Sequence, residues 1–429
     1  MEARSSDRLW LIPLAYGIGA VLVGVGFPRL ESLLFPEFMS PISSDSAVAI
    51  FSSIAAGMMS LTAIVFSLVF IMVQFNATAY SPRLALWLAC DPLMFHGIGI
   101  FTATFLYALV ALAWVNRAKT GGVPWLTTIN VFLLVMISVV TMARLVQRIS
   151  LLKITNVLAY AESMGRNAAE KIYAPIGSGV GSRESNRDVD LPPVWSTVAY
   201  EGEPKVVQSF DLTALVREAT DNRIVIEILA GVGDTVTGGE PLFLIRGVAP
   251  YLLRVRLQST INLAATRAFD TDARCALRVL VDIAIKALSP AVNDPTTAVQ
   301  SLDYIQSLLA CIGSRNLTDG CIRDDSGALR LIYPTPTWED FVSLACEEIR
   351  TYGCSSIQVV RRMRALFRTL LLQLPDDRQV AIRAQLGRLD GVVLRNFPTP
   401  EDLNEAQGED RQGLGRSRVA HAAIEQVDR

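Results

Sequence analysis

Residues that could do chemistry fall in two places. Six small residues, Ala49, Ser53, Ala56, Ser60, Ala63 and Ser67, recur at steps alternating between four and three, with Ser52, Gly57 and Thr62 beside them. That rhythm puts them on one face of a helix. In lipid such a face does one of two things. Small residues let helix backbones approach closely, or the hydroxyls line a narrow water-filled path within an oligomer, with Gln74 and Asn76 near its cytoplasmic mouth. The second place is a polar set, Arg267, Asp272, Asp282, Ser289, Pro290, Asn293, Asp294 and Pro295, strung beside an apolar helical pattern. In one reading Arg267, Asp272, Asp282, Asn293 and Asp294 converge on an ion or ligand. In the other, Ser289-Pro290 stops one helix and Asn293-Asp294-Pro295 starts the next. The Asn or Asp caps free amides, and the proline gives up nothing at the first helical position.

Conventional catalytic machinery is short of parts. The histidines are two, His96 and His421, so a zinc-histidine site or a Ser-His-Asp triad has no basis. His96 stands at a span boundary, either as an interfacial polar residue or as a pH-responsive one. Six cysteines, Cys90, Cys275, Cys311, Cys321, Cys346 and Cys354, form no CxxC and no Cys/His ligand spacing, which reads as reduced, buried thiols in a cytosolic setting. Gly231-Val-Gly-Asp234 and Gly238-Gly239 invite a phosphate-loop reading, but no Gly-Lys-Ser/Thr follows and no long helix opens after them. The run from Gly233 to Leu242 resembles the turn of lipoyl-like and membrane-fusion sandwich modules, without the lysine that carrier chemistry needs at the tip. A net charge of -2 argues against a broad basic nucleic-acid surface. The expectation is a protein that is no enzyme and holds no metal or cofactor.

What positions these residues is set by composition. The 429 residues are 51% hydrophobic and 19% charged, with a mean hydropathy of +0.37. Soluble domains carry about 25% charged residues, and the deficit lies almost wholly before Arg144. Residues 1–148 read as a transmembrane domain with spans near 9–27, 47–75, 96–115 and 125–143, each at least about the 20 residues a bilayer core requires, the second long enough to protrude beyond one face. The first span is expected to end at Pro28 and Arg29, and carries its own small stripe, Gly17, Ala20 and Gly24. No acidic residue falls inside any expected span, which counts against an ion-coupled pump. An even number of spans puts both termini on one side. Arg4, Arg8, Arg83, Arg144, Arg148 and Lys153 mark that side, against Arg29, Arg117 and Lys119 on the other, so the termini are expected in the cytoplasm.

The remainder reads as an α+β cytosolic region. Residues 149–193 form a juxtamembrane helix, Ile149–Tyr173, and a Gly/Ser-rich flexible loop. Residues 194–256 form a small β-rich module, with strands at Lys205–Asp211, Arg223–Ile228 and Leu242–Ile245 around a short helix, Leu212–Thr220. Residues 257–398 are mainly helical, with helices over Leu257–Leu288, Thr296–Cys311, Trp338–Tyr352, Ser355–Leu374 and Asp376–Leu389. Asp324-Asp325-Ser326-Gly327 turns a hairpin near 321–332. Residues 399–429 are polar and expected to be mobile.

The run Asp282-Ile-Ala-Ile-Lys-Ala-Leu-Ser-Pro-Ala-Val-Asn-Asp-Pro-Thr-Thr-Ala298 resembles the signature of a bacterial membrane family catalogued as domain of unknown function 2254. Val65–Phe75 continuing into Ser81-Pro82-Arg83, and Arg267 with Asp272, agree with it. Thr271 stands where that family often has Gln. The resemblance implies a multi-pass protein of the bacterial inner membrane with a cytosolic domain, and no established activity. Two functions are therefore carried forward. One is a homo-oligomeric channel, its second spans facing the axis and its cytosolic part forming a vestibule or gate. The other is a non-conducting scaffold or sensor, its cytosolic domain binding a partner the sequence does not name. In both, the lipid bilayer is the first partner.

Overall fold

The structure is a computed structural model and describes residues 10–34, 40–79, 92–117, 123–150, 154–176, 191–248, 253–265, 272–317 and 320–415. The chain divides into two compact units, Met1–Lys153 and Ile154–Arg429.

The first unit consists of α1 (Leu11–Leu34), α2 (Ser44–Ala79), α3 (Pro92–Arg117) and α4 (Trp125–Ser150). Each carries a stretch long and apolar enough to cross a membrane: Leu11–Glu31, Ser44–Leu68, Leu93–Val115 and Trp125–Gln147. At about 1.5 Å per residue these match a hydrocarbon core about 30 Å thick. Consecutive helices run in opposite directions. Gly24 of α1 lies against Val110 and Gly99 of α3 against Tyr16, a parallel pair, whereas Gly97 and Thr104 of α3 meet Leu145 and Ser138 of α4, an antiparallel one. α3 is the central helix, with 44% of its span buried against 22% in each of the others. Small residues make this close packing feasible: a Cβ on Gly97 would lie 2.8 Å from Leu145, and one on Gly99 2.7 Å from the Tyr16 ring. A hydroxyl pair, Thr104 and Ser138 at 2.9 Å, links α3 to α4, a bond worth about 0.6 kcal/mol in lipid.

One boundary differs from the sequence expectation in a way that matters. α1 does not stop at Pro28 but runs through it to Leu34. The proline removes one ladder bond, yet lipid has no water for the other groups a broken helix would bare, so continuing is the cheaper course.

In the second unit, α5 (Ile154–Ile172), α8 (Ala273–Ala287) and α9 (Pro295–Gly313) pack on one another, with α10 (Trp338–Gly353), α11 (Ile357–Gln373) and α12 (Asp376–Asn396) completing the helical layer. α5 buries Val157, Leu158, Ala161, Gly165, Ala168 and Ala169, one helical stripe. At its centre a Cβ on Gly165 would stand 2.8 Å from both Ala276 and Leu308. The helix expected as a lead out of the membrane is thus part of this core, because its small face fits the groove between α8 and α9.

The β part holds two sheets. In the first, β1 (Val194–Ala199), β5 (Pro241–Arg246), β3 (Val225–Ile228), β8 (Leu329–Ile332) and β7 (Cys321–Arg323) lie in that order. In the second, β4 (Thr235–Val236), β2 (Lys205–Phe210) and β6 (Ile261–Ala264) do. Ile226, Ile228, Phe243 and Leu242 from the strands, Ile224 just before β3, Leu215 from α6 (Leu212–Asp221) and Leu257 from α7 (Leu253–Ser259) fill the core between them. Gly233 and Gly239, at φ of +91° and +94°, make turns that a side chain would strain.

Three expected boundaries are corrected here. The single helix over Leu257–Leu288 is replaced by the end of α7, β6 and α8, because Ile261–Ala264 pairs with β2. The hairpin at 321–332 belongs to the five-stranded sheet, since β8 runs parallel to β3 with Ile226 opposite Leu331. The tail is ordered as far as residue 415. α13 (Pro400–Ala406) lies on α11, where Arg361 pairs with Glu405 and Arg368 with Glu409. The Arg361 guanidinium is buried and needs such a partner, which the tail supplies, while Arg368 is half exposed. Residues 416–429 lie outside the described residues.

Candidate functional site

α2 places all six stripe residues, Ala49, Ser53, Ala56, Ser60, Ala63 and Ser67, on its exposed side. The opposite side packs on α3 through the buried Ala47, Phe51, Ala55, Met58 and Val65. Within the first unit, then, the stripe does not serve helix packing. A Cβ on Gly57, beside the stripe, would meet nothing within 4 Å. The hydroxyls are already satisfied in part by their own helix. Ser52 donates to the Ala49 carbonyl at 3.0 Å, Ser60 to Ala56 at 3.0 Å and Thr62 to Met58 at 2.7 Å. Such back-bonded hydroxyls sit in lipid, against a helix or in water without an unmet donor. Gln74 is exposed on the last turns of α2, and Asn76 is on the same helix with its side chain outside the described residues. The stripe of α1 behaves oppositely. A Cβ on Gly17 would lie 3.2 Å from Leu106, one on Gly24 would lie 3.0 Å from Val110, and Ala20 is buried.

The extra turns of α1 deliver a group that sequence reasoning missed. Glu31 was expected outside the span, but only 4% of it is exposed. The Leu126 amide at the start of α4 donates to its Oε1 at 2.9 Å, so the carboxylate sits on the positive end of that helix. Tyr107 on α3 and Thr127 on α4 are 1% and 0% exposed. Thr127 and Asn130 neighbour the Tyr107 hydroxyl, and Glu31 is close enough for its charge to act there. Glu31 Oε2, Tyr107 Oη and Thr127 Oγ1 are all buried without a hydrogen-bond partner. Beside them a cleft of about 480 Å³ opens between α1, α3 and α4, lined by Tyr16, Gly19, Tyr107, Asn130 and Leu133 among others. A sequence signal existed: Gly17, Gly24 and Glu31 are spaced by seven, so the acid extends the packing face of α1.

The polar set of the second unit is spent on helix ends. Asp272 caps α8, its Oδ1 accepting from the Arg274 amide at 2.8 Å. Burial first, and then the Asp272 charge, push the nearby Tyr173 phenol up to about 12. Asp282 accepts from Arg278 at 2.6 Å, and Arg278 also grips Glu348 of α10 at 2.5 and 2.8 Å, which holds the Glu348 carboxyl below its ordinary value. The Ser289 hydroxyl donates to the Lys286 carbonyl at 2.7 Å, and Pro290 follows where α8 has ended. Asn293 takes φ of +47°, its amide donating to the Ser289 carbonyl. Asp294 caps α9 through the Thr297 amide and hydroxyl at 3.1 and 2.6 Å, with Pro295 in the first turn. Asp272 and Asp294 stand at opposite ends of α8, about 22 Å of helix at 1.5 Å per residue. They do not converge. Arg267 lies outside the described residues, among which no three His, Cys, Asp or Glu group as a metal cluster.

Residues 6–369 match the model of a family described as predicted membrane protein, domain of unknown function 2254. The chain belongs to this family. Relatives include uncharacterized proteins of Mycobacterium tuberculosis and Mycobacterium bovis, each 25% identical over 413 residues, covering 92% of this chain and 78% of the relative. No solved structure matches the chain. The family match takes in all four apolar helices, the stripe, Glu31 and the capping set from Asp272 to Pro295. It stops within α11, so α12 and α13 lie beyond it.

Proposed function

We propose that copies of this chain assemble in the bacterial inner membrane, with both termini in the cytoplasm, into a homo-oligomeric channel lined by the exposed face of α2. The observation that carries this reading is the orientation of the stripe. Six small residues face away from the other helices of the first unit, and small residues at helical spacing are how helices associate in lipid. The excess of Lys and Arg near the termini supports the cytoplasmic placement. The second unit then forms a vestibule or gate, and no step of covalent chemistry is assigned to the protein.

One observation favours the rival, a non-conducting membrane-anchored scaffold or sensor. The hydroxyls of Ser52, Ser60 and Thr62 are bonded to their own helix and so need no water. Purified protein in liposomes tests the two. Flux of ions or small solutes under voltage, osmotic tension or a pH step is the expected result. An intact oligomer without flux under all three supports the scaffold instead.

A further inference from the structure

The group of oxygens around Glu31 is unexplained by either reading above. A membrane-embedded carboxylate costs free energy unless something compensates its charge. The α4 N-terminus does so in part, as about half a unit charge near the Leu126 amide. Arg29, two residues earlier, lies over the Trp114 ring at 5.8 Å from its centroid. Glu31 Oε2, Tyr107 Oη and Thr127 Oγ1 remain buried and unpartnered on three different helices. Buried polar atoms of this kind call for a partner, and a water or an ion is the usual one.

We propose that this end of the four-helix bundle binds a dehydrated monovalent cation. The donors are all oxygen, the hard ligands that alkali and alkaline-earth cations take. The Asn130 side chain, next to the Tyr107 hydroxyl, offers a fourth oxygen. The set carries one formal negative charge, which a single positive charge neutralises. A divalent ion would leave an uncompensated charge in the apolar bundle. The site lies within one chain, so it stands or falls independently of the oligomer and of any pore.

Full-length protein in detergent tests this through thermal unfolding, followed by intrinsic tryptophan fluorescence, to which Trp114 and Trp125 of the bundle contribute, with sodium, potassium or choline chloride at constant ionic strength. Sodium or potassium is expected to raise the transition saturably above choline. Glu31→Gln keeps an oxygen for the Leu126 amide while removing the charge, and is expected to weaken the effect more than about tenfold, the scale of one charged hydrogen-bonding partner. Should E31Q fail to fold, Thr127→Val and Tyr107→Phe remove neutral ligands and are each expected to weaken it by a smaller factor. Equal transitions in sodium, potassium and choline would overturn the proposal and leave bound water as the occupant. So would an alkali-ion effect that survives E31Q unchanged.

Discussion

Gly17, Ala20 and Gly24 on α1, and the run from Ala49 to Ser67 on α2, share a small-residue rhythm, yet the first is pressed against α3 and the second faces outward. The bulk on the rest of each helix decides. Away from its stripe α1 carries the exposed Leu14, Ile18, Leu22 and Val25, side chains suited to lipid, so its small face is the one that can approach a neighbour. α2 has two usable faces. Phe51, Met58 and Val65 fill the groove beside α3, which leaves the small face over. A stripe of small residues therefore says that a helix can be approached closely. It does not say by which neighbour.

The largest effect expected from this contrast comes from adding bulk to α1. Gly24→Leu drives a side chain into Val110, where even a Cβ is already at 3.0 Å, and overpacking of this kind costs about 1–3 kcal/mol or more. Monodisperse protein on detergent size-exclusion should be largely lost, whereas Ser60→Leu should leave folded yield nearly unchanged. Equal yields would break the contrast. Next in size, Ser53→Leu with Ser60→Leu should reduce the assembly to single chains by native mass spectrometry. If the mass is unaltered, the outward face of α2 meets lipid alone.

A finer distinction comes from cysteine placement on the α2 face, after replacement of Cys90, Cys311 and the partly exposed Cys275, Cys321 and Cys354. Cys346 can remain, since burial pushes its thiol up to about 12 and keeps it unreactive. Ser53→Cys and Ser60→Cys should react with a water-soluble thiol reagent at least about tenfold faster than Ala20→Cys, because only the thiolate in water is a nucleophile. Uniformly slow labelling would mean a dry face. The smallest effect belongs to the hydroxyl pair: Thr104→Val and Ser138→Ala, combined in a double-mutant cycle of unfolding, should couple by about 0.6 kcal/mol. A coupling of zero would mean that the self-bonds of Thr104 and Ser138 to Ile100 and Leu134 already satisfy both hydroxyls.

The membrane helices were legible in sequence because unbroken apolar length has a single meaning in a bilayer, and the helix start at Asp294-Pro295 because caps are local chemistry. What escaped was set by partners distant along the chain. Pro28 looks like a stop until lipid is counted as the solvent, and Glu31 was misplaced with it. Ile261–Ala264 shows its strand character only beside β2. Arg361 and Arg368 give no hint that Glu405 and Glu409 will hold residues of the tail. As for the candidate site, the stripe's existence was plain from spacing. Its direction was not, because Phe51 and Met58 had to be weighed against α3.

The parallel pairing of β3 with β8 has a consequence for biogenesis. β5 can join β3 soon after both leave the ribosome, but the other side of β3 must wait until Leu331 has been made, with α7, α8 and α9 emerging in between. During that interval the hydrogen-bonding groups of Ile226 and Glu227 are a bare strand edge, open to strands of other nascent chains. A message truncated before Leu329 would yield a product anchored in the bilayer and poised to aggregate.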